Sequence, residues 1–171
     1  GASIGNYFKL NGSFVQYSTN DGVYSRGIDL SNSYATAFAL SLLKEYATFF
    51  YNNGCTKFNL CADECLGYSV TMNGTTYTTG STTAGRNLWD CLEHWEDYAV
   101  NTLGITGGTA YDTYVSFLND AASVLRSLGY SGIRVFNDGA YRSPTVTKHV
   151  SLASDIAISY WSNASYLDAA S

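Results

Sequence analysis

The chain has 171 residues, with nine Lys and Arg against fourteen Asp and Glu, and a formal net charge of −5. Charged residues make up 13 % of it, about half of the ~25 % usual in globular domains, which excludes a disordered polyelectrolyte. Because no cluster of Lys and Arg is present to neutralise phosphates, nucleic acid is excluded as a partner. No segment reaches the ~18 consecutive apolar residues of a stable membrane span. At this length we expect one domain over residues 1–171, with residues 162–171 as a loose tail.

The cysteines indicate how the fold is stabilised. Cys55, Cys61, Cys65 and Cys91 are an even set, which predicts two disulfide bonds in one of three pairings. Each bond would contribute ~2–4 kcal/mol. A zinc site of three cysteines with His94 is the alternative, but the Cys61–Cys65 spacing is not the usual two-residue knuckle and Cys55 would be left over. We therefore expect no metal and no cofactor.

Composition also predicts a compartment. Low charge, many Tyr, Ser and Thr and an even cysteine set favour a secreted or extracellular protein. Three N-glycosylation sequons, at Asn11, Asn73 and Asn163, agree with this interpretation. The chain starts with neither Met nor an apolar run, so we expect a mature N-terminus from which a signal peptide has been removed.

The first half of the chain is predicted to form hairpins around a helix. Strands over 7–10 and 13–17 flank Asn11-Gly12, a two-residue turn signal. A helix follows over Ser33–Tyr51, with Ser31 or Ser33 as its N-cap and Gly54 at its C-terminal end. Apolar residues cover most of its circumference, which is typical of a core helix or of a helix held in an interface.

The second half alternates strands and helices. A short strand over 57–60 precedes a second hairpin, whose strands at 68–72 and 75–79 flank Asn73-Gly74. A second helix is expected over 83–103, and a third begins at the capping pair Thr109 and Asp112 and ends at Gly129. Strands over 133–136 and 155–161 complete the set. The order predicts an α+β fold, an α/β sandwich with a largely antiparallel sheet, about three helices on one face and disulfide staples.

Candidate site residues concentrate on the second helix. Asp90, Glu93, His94 and Asp97 recur at i, i+3, i+4 and i+7, so their side chains share one face. An imidazole among carboxylates can serve as a general acid or a weak cation ligand, although such charged faces are usually only solvated. His149 is the second candidate. No G-x-S-x-G motif accompanies it. No pair among the four glutamates shows a glycosidase pattern: Glu45, Glu64, Glu93 and Glu96.

The predicted architecture, with paired cysteines and abundant Ser, Thr, Tyr and Asn, resembles that of secreted fungal killer toxins and effectors. This resemblance implies a non-enzymatic protein that binds a protein or glycan target on a cell surface. A partner subunit that covers the Ser33–Tyr51 helix is a further expected partner. The first alternative is a small extracellular hydrolase that uses His94 or His149 with nearby carboxylates. The second alternative is a structural or adhesive cell-surface protein.

Overall fold

A computed structural model describes residues 28–63, 92–137 and 147–160, together with the backbone of four short strands. Those four strands pair antiparallel in two hairpins, and Asn-Gly separates the two strands of each hairpin in the sequence. Both predicted hairpins are therefore confirmed. The first joins β1 (Lys9–Leu10) to β2 (Ser13–Phe14), and the second joins β4 (Ser69–Met72) to β5 (Thr75–Thr78).

The described residues contain three helices: α1 (Ser33–Asn52), α2 (Glu93–Asn101) and α3 (Ala110–Leu128). The N-cap of α1 is Asn32, whose side chain accepts hydrogen bonds from two backbone amides, and not a neighbouring serine. Leu92 is the non-helical N-cap of α2, so the prediction of one continuous helix over 83–103 is wrong. Residues 83–91 lie outside the described residues. None of the described helices has the length and apolar character that crossing a bilayer requires.

The central sheet consists of β3 (Lys57–Asn59), β6 (Gly132–Phe136) and β7 (Ile156–Ser159), in the order β3-β6-β7. Both pairings are parallel, so the expectation of a largely antiparallel sheet is wrong. Each strand lies where the sequence predicts it. Their mutual direction is not encoded by a local turn, because parallel strands are joined by long crossover connections and not by hairpins.

The predicted disulfide staples are also wrong. Within the described part of the chain, Cys55 and Cys61 are exposed free thiols. Cys65 and Cys91 lie outside the described residues. The described fold is stabilised by apolar packing around α3, one face of which is buried as the sequence predicts: Tyr111, Tyr114, Val115, Leu118, Ala121, Ala122 and Leu125.

The other two helices pack on α3 in different ways. The short helix α2 inserts Trp95 and Ala99 into the core, both without exposed surface. The long helix α1 does not follow the core-helix interpretation, because of its 20 described residues Ala47 is the one that is buried. Its aromatic side chains face solvent, as the alternative interpretation of an interface helix requires.

A segment outside the helices and strands, residues 147–155, leads into β7 and is called the strap. Three polar side chains of α3 hold it. Asp112 accepts the backbone N–H groups of His149 and Val150, at 2.7 and 2.8 Å. Asn119 donates to the carbonyl of residue 151 and accepts from the N–H of residue 153. Arg126 binds Asp155 through two hydrogen bonds of 2.6 Å.

The spacing of the three side chains on α3 explains how the strap can bind along the helix. Asp112, Asn119 and Arg126 recur every seventh residue, so they lie along one side of α3. The helix rises ~21 Å from the first to the last of them. An extended chain from His149 to Asp155 spans ~20 Å. The strap and the helix therefore match in length, and the strap's backbone groups find partners on α3 without forming a helix of their own.

We predict that Asn119→Ala lowers the free energy of unfolding by about 1–2 kcal/mol, because two strap hydrogen bonds are lost together. Urea titration measures the loss, and hydrogen exchange at the amide of Ala153 should accelerate. The matched control is Ser123→Ala, at an exposed position of the same helix. Equal stability of the two variants would contradict the role assigned to the strap.

Candidate functional site

The parallel sheet gathers the residues that follow its strands at one edge. Because β3, β6 and β7 run in the same direction, their C-terminal ends lie side by side. Asp63 follows β3, Asn137 follows β6 and Tyr160 follows β7. Asp63 is exposed, Tyr160 is 44 % exposed, and Asn137 is a fully buried polar side chain. Sites in parallel α/β folds lie at this edge, so these residues define the candidate site.

The turn after β3 is strained. Cys61 and Ala62 both take left-handed backbone conformations, with φ of 60° and 59°. For residues with a Cβ this costs roughly 1–2 kcal/mol each, and such strain persists where the surrounding structure enforces it, often at functional sites. The strained pair lies directly before Asp63 and Glu64 in the sequence.

Three tertiary and local hydrogen bonds enforce the strained turn. The N–H of Phe136, at the end of β6, donates to the carbonyl of Cys61 at 2.8 Å. The buried hydroxyl of Tyr114 on α3 donates to the carbonyl of Ala62 at 2.6 Å. The N–H of Cys61 donates to the side chain of Asn59 at 2.9 Å. A strand, a helix and the turn itself therefore fix the direction in which the chain enters Asp63.

The turn after β3 is not predicted by the sequence pattern. The pattern predicts the strand over 57–60 but does not mark Asp63 and Glu64 as site residues. The available signal is a strand followed within four residues by the acidic pair Asp63-Glu64. The sequence pattern does not show that this strand belongs to a parallel sheet. Sites are expected at the C-terminal ends of strands only in parallel sheets. Glu64 itself lies outside the described residues.

A buried carboxylate lies near the start of α1. Asp29 is 5 % exposed, and its Oδ1 accepts hydrogen bonds from the indole N–H of Trp95 at 2.9 Å and from the hydroxyl of Ser31 at 2.6 Å. Burial alone raises the pKa of Asp29, but the contacts with His94, Ser31 and Trp95 outweigh burial and lower the pKa to about 2. Asp29 is therefore an ionised group in the interior.

The side chains of the predicted acidic face of the second helix do not lie together: some face the interior and others face solvent. His94 Nε2 lies 3.4 Å from Asp29 Oδ1, so this imidazole is directed towards the buried carboxylate. Asp97 is exposed and accepts a hydrogen bond from the Asn101 side chain at 2.6 Å. Glu93 is partly exposed at the first position of α2, and Asp90 lies outside the described residues. Within residues 28–63, 92–137 and 147–160, no group of three or more His, Cys, Asp and Glu is arranged to hold a metal ion.

His149 is paired with a second buried carboxylate. Its Nδ1 lies 2.9 Å from Oδ2 of Asp112, which has no exposed surface. Burial again raises the pKa of Asp112, but hydrogen bonds from His149, Val150 and Thr109 outweigh burial and lower the pKa. The two histidines thus pair with different aspartates and do not form one site.

A hydrogen bond connects α2 and α3 between these pairs. Thr113, next to Asp112, donates through its hydroxyl to the carbonyl of Trp95 at 2.7 Å. Trp95 in turn donates to Asp29 through its indole. The first turns of α2 and α3 and the residues before α1 are therefore fixed relative to one another by polar contacts. Both histidines therefore take part in contacts between elements, and a catalytic role for His94 or His149 stays a prediction.

Comparison with known proteins points to glycosidases. No protein-family model matches the chain. It is 30 % identical over 135 residues to a lacto-N-biosidase of Bifidobacterium bifidum, a match that covers 78 % of this chain and 10 % of that protein. Among solved structures, a GH20 exo-β-N-acetylglucosaminidase from Vibrio harveyi matches with a TM-score of 0.53 and 18 % identity, over 96 % of this chain and 21 % of that one.

A second solved structure gives the same picture. The pneumococcal virulence factor StrH, described through its N-glycan recognition and hydrolysis, matches with a TM-score of 0.50 and 20 % identity, over 90 % of this chain and 32 % of that one. These likenesses establish a shared fold. The chain spans about a tenth of the bifidobacterial relative and a fifth to a third of the solved chains.

These findings overturn the main functional prediction. The interpretation as a non-enzymatic toxin or effector that acts as a binding protein is wrong, because the proteins that the chain resembles are glycoside hydrolases. The hydrolase alternative agrees with them better. The three sequon residues, Asn11, Asn73 and Asn163, lie outside the described residues, and their glycosylation stays a prediction.

We predict that Asp29→Asn destabilises the protein at neutral pH but not in strong acid. An aspartate whose pKa is lowered to about 2 contributes stability above its unfolded pKa near 4 and loses it as the pH falls towards 2. The shift corresponds to about 2 kcal/mol at pH 7. Urea unfolding at several pH values, followed by Trp fluorescence, measures the difference between wild type and variant.

The control for that series is Asp97→Asn, an exposed aspartate on α2. Its difference from wild type should stay small across the same pH range. A constant Asp29→Asn difference between pH 7 and pH 2 would show that the ionised carboxylate is not the source of the stability.

We predict that Cys61→Gly is more stable than Cys61→Val by about 1–2 kcal/mol, because glycine takes a positive φ freely and a β-branched residue does not. Differential scanning calorimetry of both variants checks this ordering. The same two substitutions at Cys55, an exposed cysteine at which no positive φ occurs, provide the control. If valine is tolerated equally at both cysteines, the turn is not strained.

Proposed function

We propose that the chain is part of the catalytic module of a glycoside hydrolase that releases a terminal β-linked N-acetylglucosamine from a glycan. The observation that carries the proposal is the strained turn at the C-terminal end of β3, which leads directly into Asp63 and Glu64. The similarity to a lacto-N-biosidase and to GH20 β-N-acetylglucosaminidases supports this reaction and this substrate class.

The reaction requires two carboxyl groups close to the glycosidic bond that is cleaved. Hydrolysis breaks the bond between the anomeric carbon and the leaving oxygen, and a carboxylic acid delivers a proton to that oxygen as it departs. Water supplies the hydroxyl group that the anomeric carbon gains. The transition state resembles an oxocarbenium ion, so a second negative charge nearby stabilises it. We assign these roles jointly to Glu64 and Asp63.

The other residues of the edge suit a sugar. An exposed aromatic ring such as Tyr160 offers a flat apolar surface for the face of a pyranose. The amide of Asn137 has no exposed surface, so it does not contact a sugar in this conformation and is a buried polar group at the end of β6. Acidic and aromatic groups at one edge of a sheet are a combination that carbohydrate sites use.

We assign no catalytic role to the two histidines. His94 and His149 each face a buried aspartate close to the start of a helix, where they support the fold. The carboxylates after β3 follow a turn that the fold holds under strain, which is the more informative sign of a reactive position. An extracellular location and a glycan partner, both expected from composition, are consistent with this substrate and are part of the proposal.

The test uses 4-nitrophenyl N-acetyl-β-D-glucosaminide and the full protein in which this chain occurs. We expect release of nitrophenolate by the wild type. Glu64→Gln and Asp63→Asn should each reduce kcat by ~10²–10⁴-fold, the usual contribution of a positioned acid–base group. Circular dichroism and the midpoint of thermal unfolding establish that the variants are folded.

Asp97→Asn is the matched control, since it removes an exposed carboxylate from a different element. Its kcat should equal that of the wild type. If the wild type fails to cleave the β-linked substrate, the substrate class is wrong. If the wild type is active and the Glu64 and Asp63 variants retain full activity, the assignment of the acidic pair is wrong.

A further inference from the structure

The peptide groups of the turn after β3 are held one after another. A peptide group is planar, so a hydrogen bond to its N–H or to its carbonyl fixes the direction of the whole group. The N–H of Cys61 donates to the side chain of Asn59 at 2.9 Å, which holds the peptide between residues 60 and 61. The N–H of Phe136 donates to the carbonyl of Cys61 at 2.8 Å, which holds the next peptide. The strand β3 and its neighbour β6 therefore fix the first two peptide groups of the turn.

Tyr114 holds the third peptide group, which joins Ala62 to Asp63. Its hydroxyl donates to the carbonyl of Ala62 at 2.6 Å, and Tyr114 is buried. The peptide groups on both sides of Ala62 are then fixed, and only the φ and ψ angles of Ala62 relate them. Ala62 therefore keeps a φ of 59°, which a residue with a Cβ otherwise avoids. The backbone nitrogen of Asp63 belongs to the peptide group that Tyr114 holds.

The N-terminal end of α3 fixes the position of Tyr114 in turn. Two residues before it, Asp112 accepts two backbone N–H groups of the strap. The next residue, Thr113, donates through its hydroxyl to the carbonyl of Trp95 on α2. Three successive residues of α3 thus bind three different segments: the strap, α2 and the turn after β3. A group that is supported in this way by surrounding hydrogen bonds holds its partner precisely.

We propose that Tyr114 is a positioning residue for the hydrolytic reaction, an inference that rests on the proposed function. Its hydroxyl sets the direction in which Asp63 and Glu64 leave the turn, and it acts through the peptide group that precedes them. Without the hydroxyl, Ala62 can return to a negative φ, which redirects the chain that carries both carboxyl groups. A misplacement of about 1 Å at a reacting group lowers the rate by up to ~10²-fold.

Kinetics of Tyr114→Phe in the full protein test the proposal, with 4-nitrophenyl N-acetyl-β-D-glucosaminide as the substrate. The variant keeps the ring and loses only the hydroxyl. We expect kcat to fall ~10–100-fold and KM to change less than ~3-fold, because the carboxyl groups are misplaced in the reaction step. The matched control is Tyr130→Phe. Tyr130 is also buried, its hydroxyl donates to the carbonyl of Ala47 at 2.8 Å, and it lies before β6, at the opposite end of the sheet. Its kcat should equal that of the wild type.

A second substitution distinguishes positioning from a loss of stability. If Tyr114 acts by keeping Ala62 at a positive φ, then a residue that adopts positive φ freely depends less on the hydroxyl. Ala62→Gly in the Tyr114→Phe background should therefore raise kcat by at least ~3-fold. An unchanged or lower kcat would show that Tyr114 does not act through the backbone of Ala62, and would overturn the proposal.

Hydrogen exchange of the full protein gives a readout that does not require activity. In Tyr114→Phe, the amide of Phe136, which binds the turn, should exchange several-fold faster than in the wild type. The amide of Leu60, which donates to the carbonyl of Arg134 within the sheet, is the internal control and should not change.

Two results would overturn the proposal: equal kcat in Tyr114→Phe and Tyr130→Phe, or unchanged exchange at Phe136. A wild type that does not cleave the substrate would instead overturn the proposed function. Exchange at Phe136 would then decide by itself whether Tyr114 holds the turn.

Discussion

Three strands that run in the same direction impose the arrangement of everything else in the described structure. A parallel pair cannot be closed by a tight turn, so the chain must return to the starting end of the sheet before each new strand. Between β3 and β6 the return includes the helix α3, and between β6 and β7 it includes the strap. The same constraint brings the strand ends together, so that residues far apart in sequence, such as Asp63 and Asn137, come to one edge.

Two buried carboxylates then fix the elements around that sheet. Asp29 and Asp112 are ionised in the interior, where an uncompensated charge is very costly. Each is surrounded by donors from other elements, and Asp112 alone accepts hydrogen bonds from three backbone amides. Negative charge is also favourable near the first turn of a helix. The carboxylates therefore specify which segments meet, since removing either set of donors would leave a buried charge unpaired.

The sequence predicts the local elements of the structure well, but it does not predict how the strands pair with one another. The antiparallel pairing within each short hairpin, the capping pair at Thr109 and the buried face of α3 depend on neighbours along the chain, and the sequence predicts all three. The parallel pairing of β3 with β6 joins residues such as Phe58 and Ile133, which no local pattern connects. The candidate site depends on that pairing, so it could not be located before the strand directions were known.

The histidines illustrate the same limit. Helical spacing placed His94 with Asp97 on a shared face, yet the imidazole faces Asp29, which precedes a different helix. The i, i+3, i+4 spacing of residues shows which side chains are neighbours on one helix. It does not show which other element packs against those side chains. Likewise, the apolar arc of α1 was correctly recognised as extensive, but composition alone did not distinguish a core helix from an interface helix.

Because the strap is bound at three points along α3, the length of the helix fixes the length of the strap. The strap's path is set by side chains that recur at every second turn of α3. Adding one residue to α3 between two of these side chains would rotate the next one by ~100° away from the strap. Residues added to the strap would have no partner on the helix and would bulge into solvent. In evolution, the two segments can therefore change in composition readily, but in length only together.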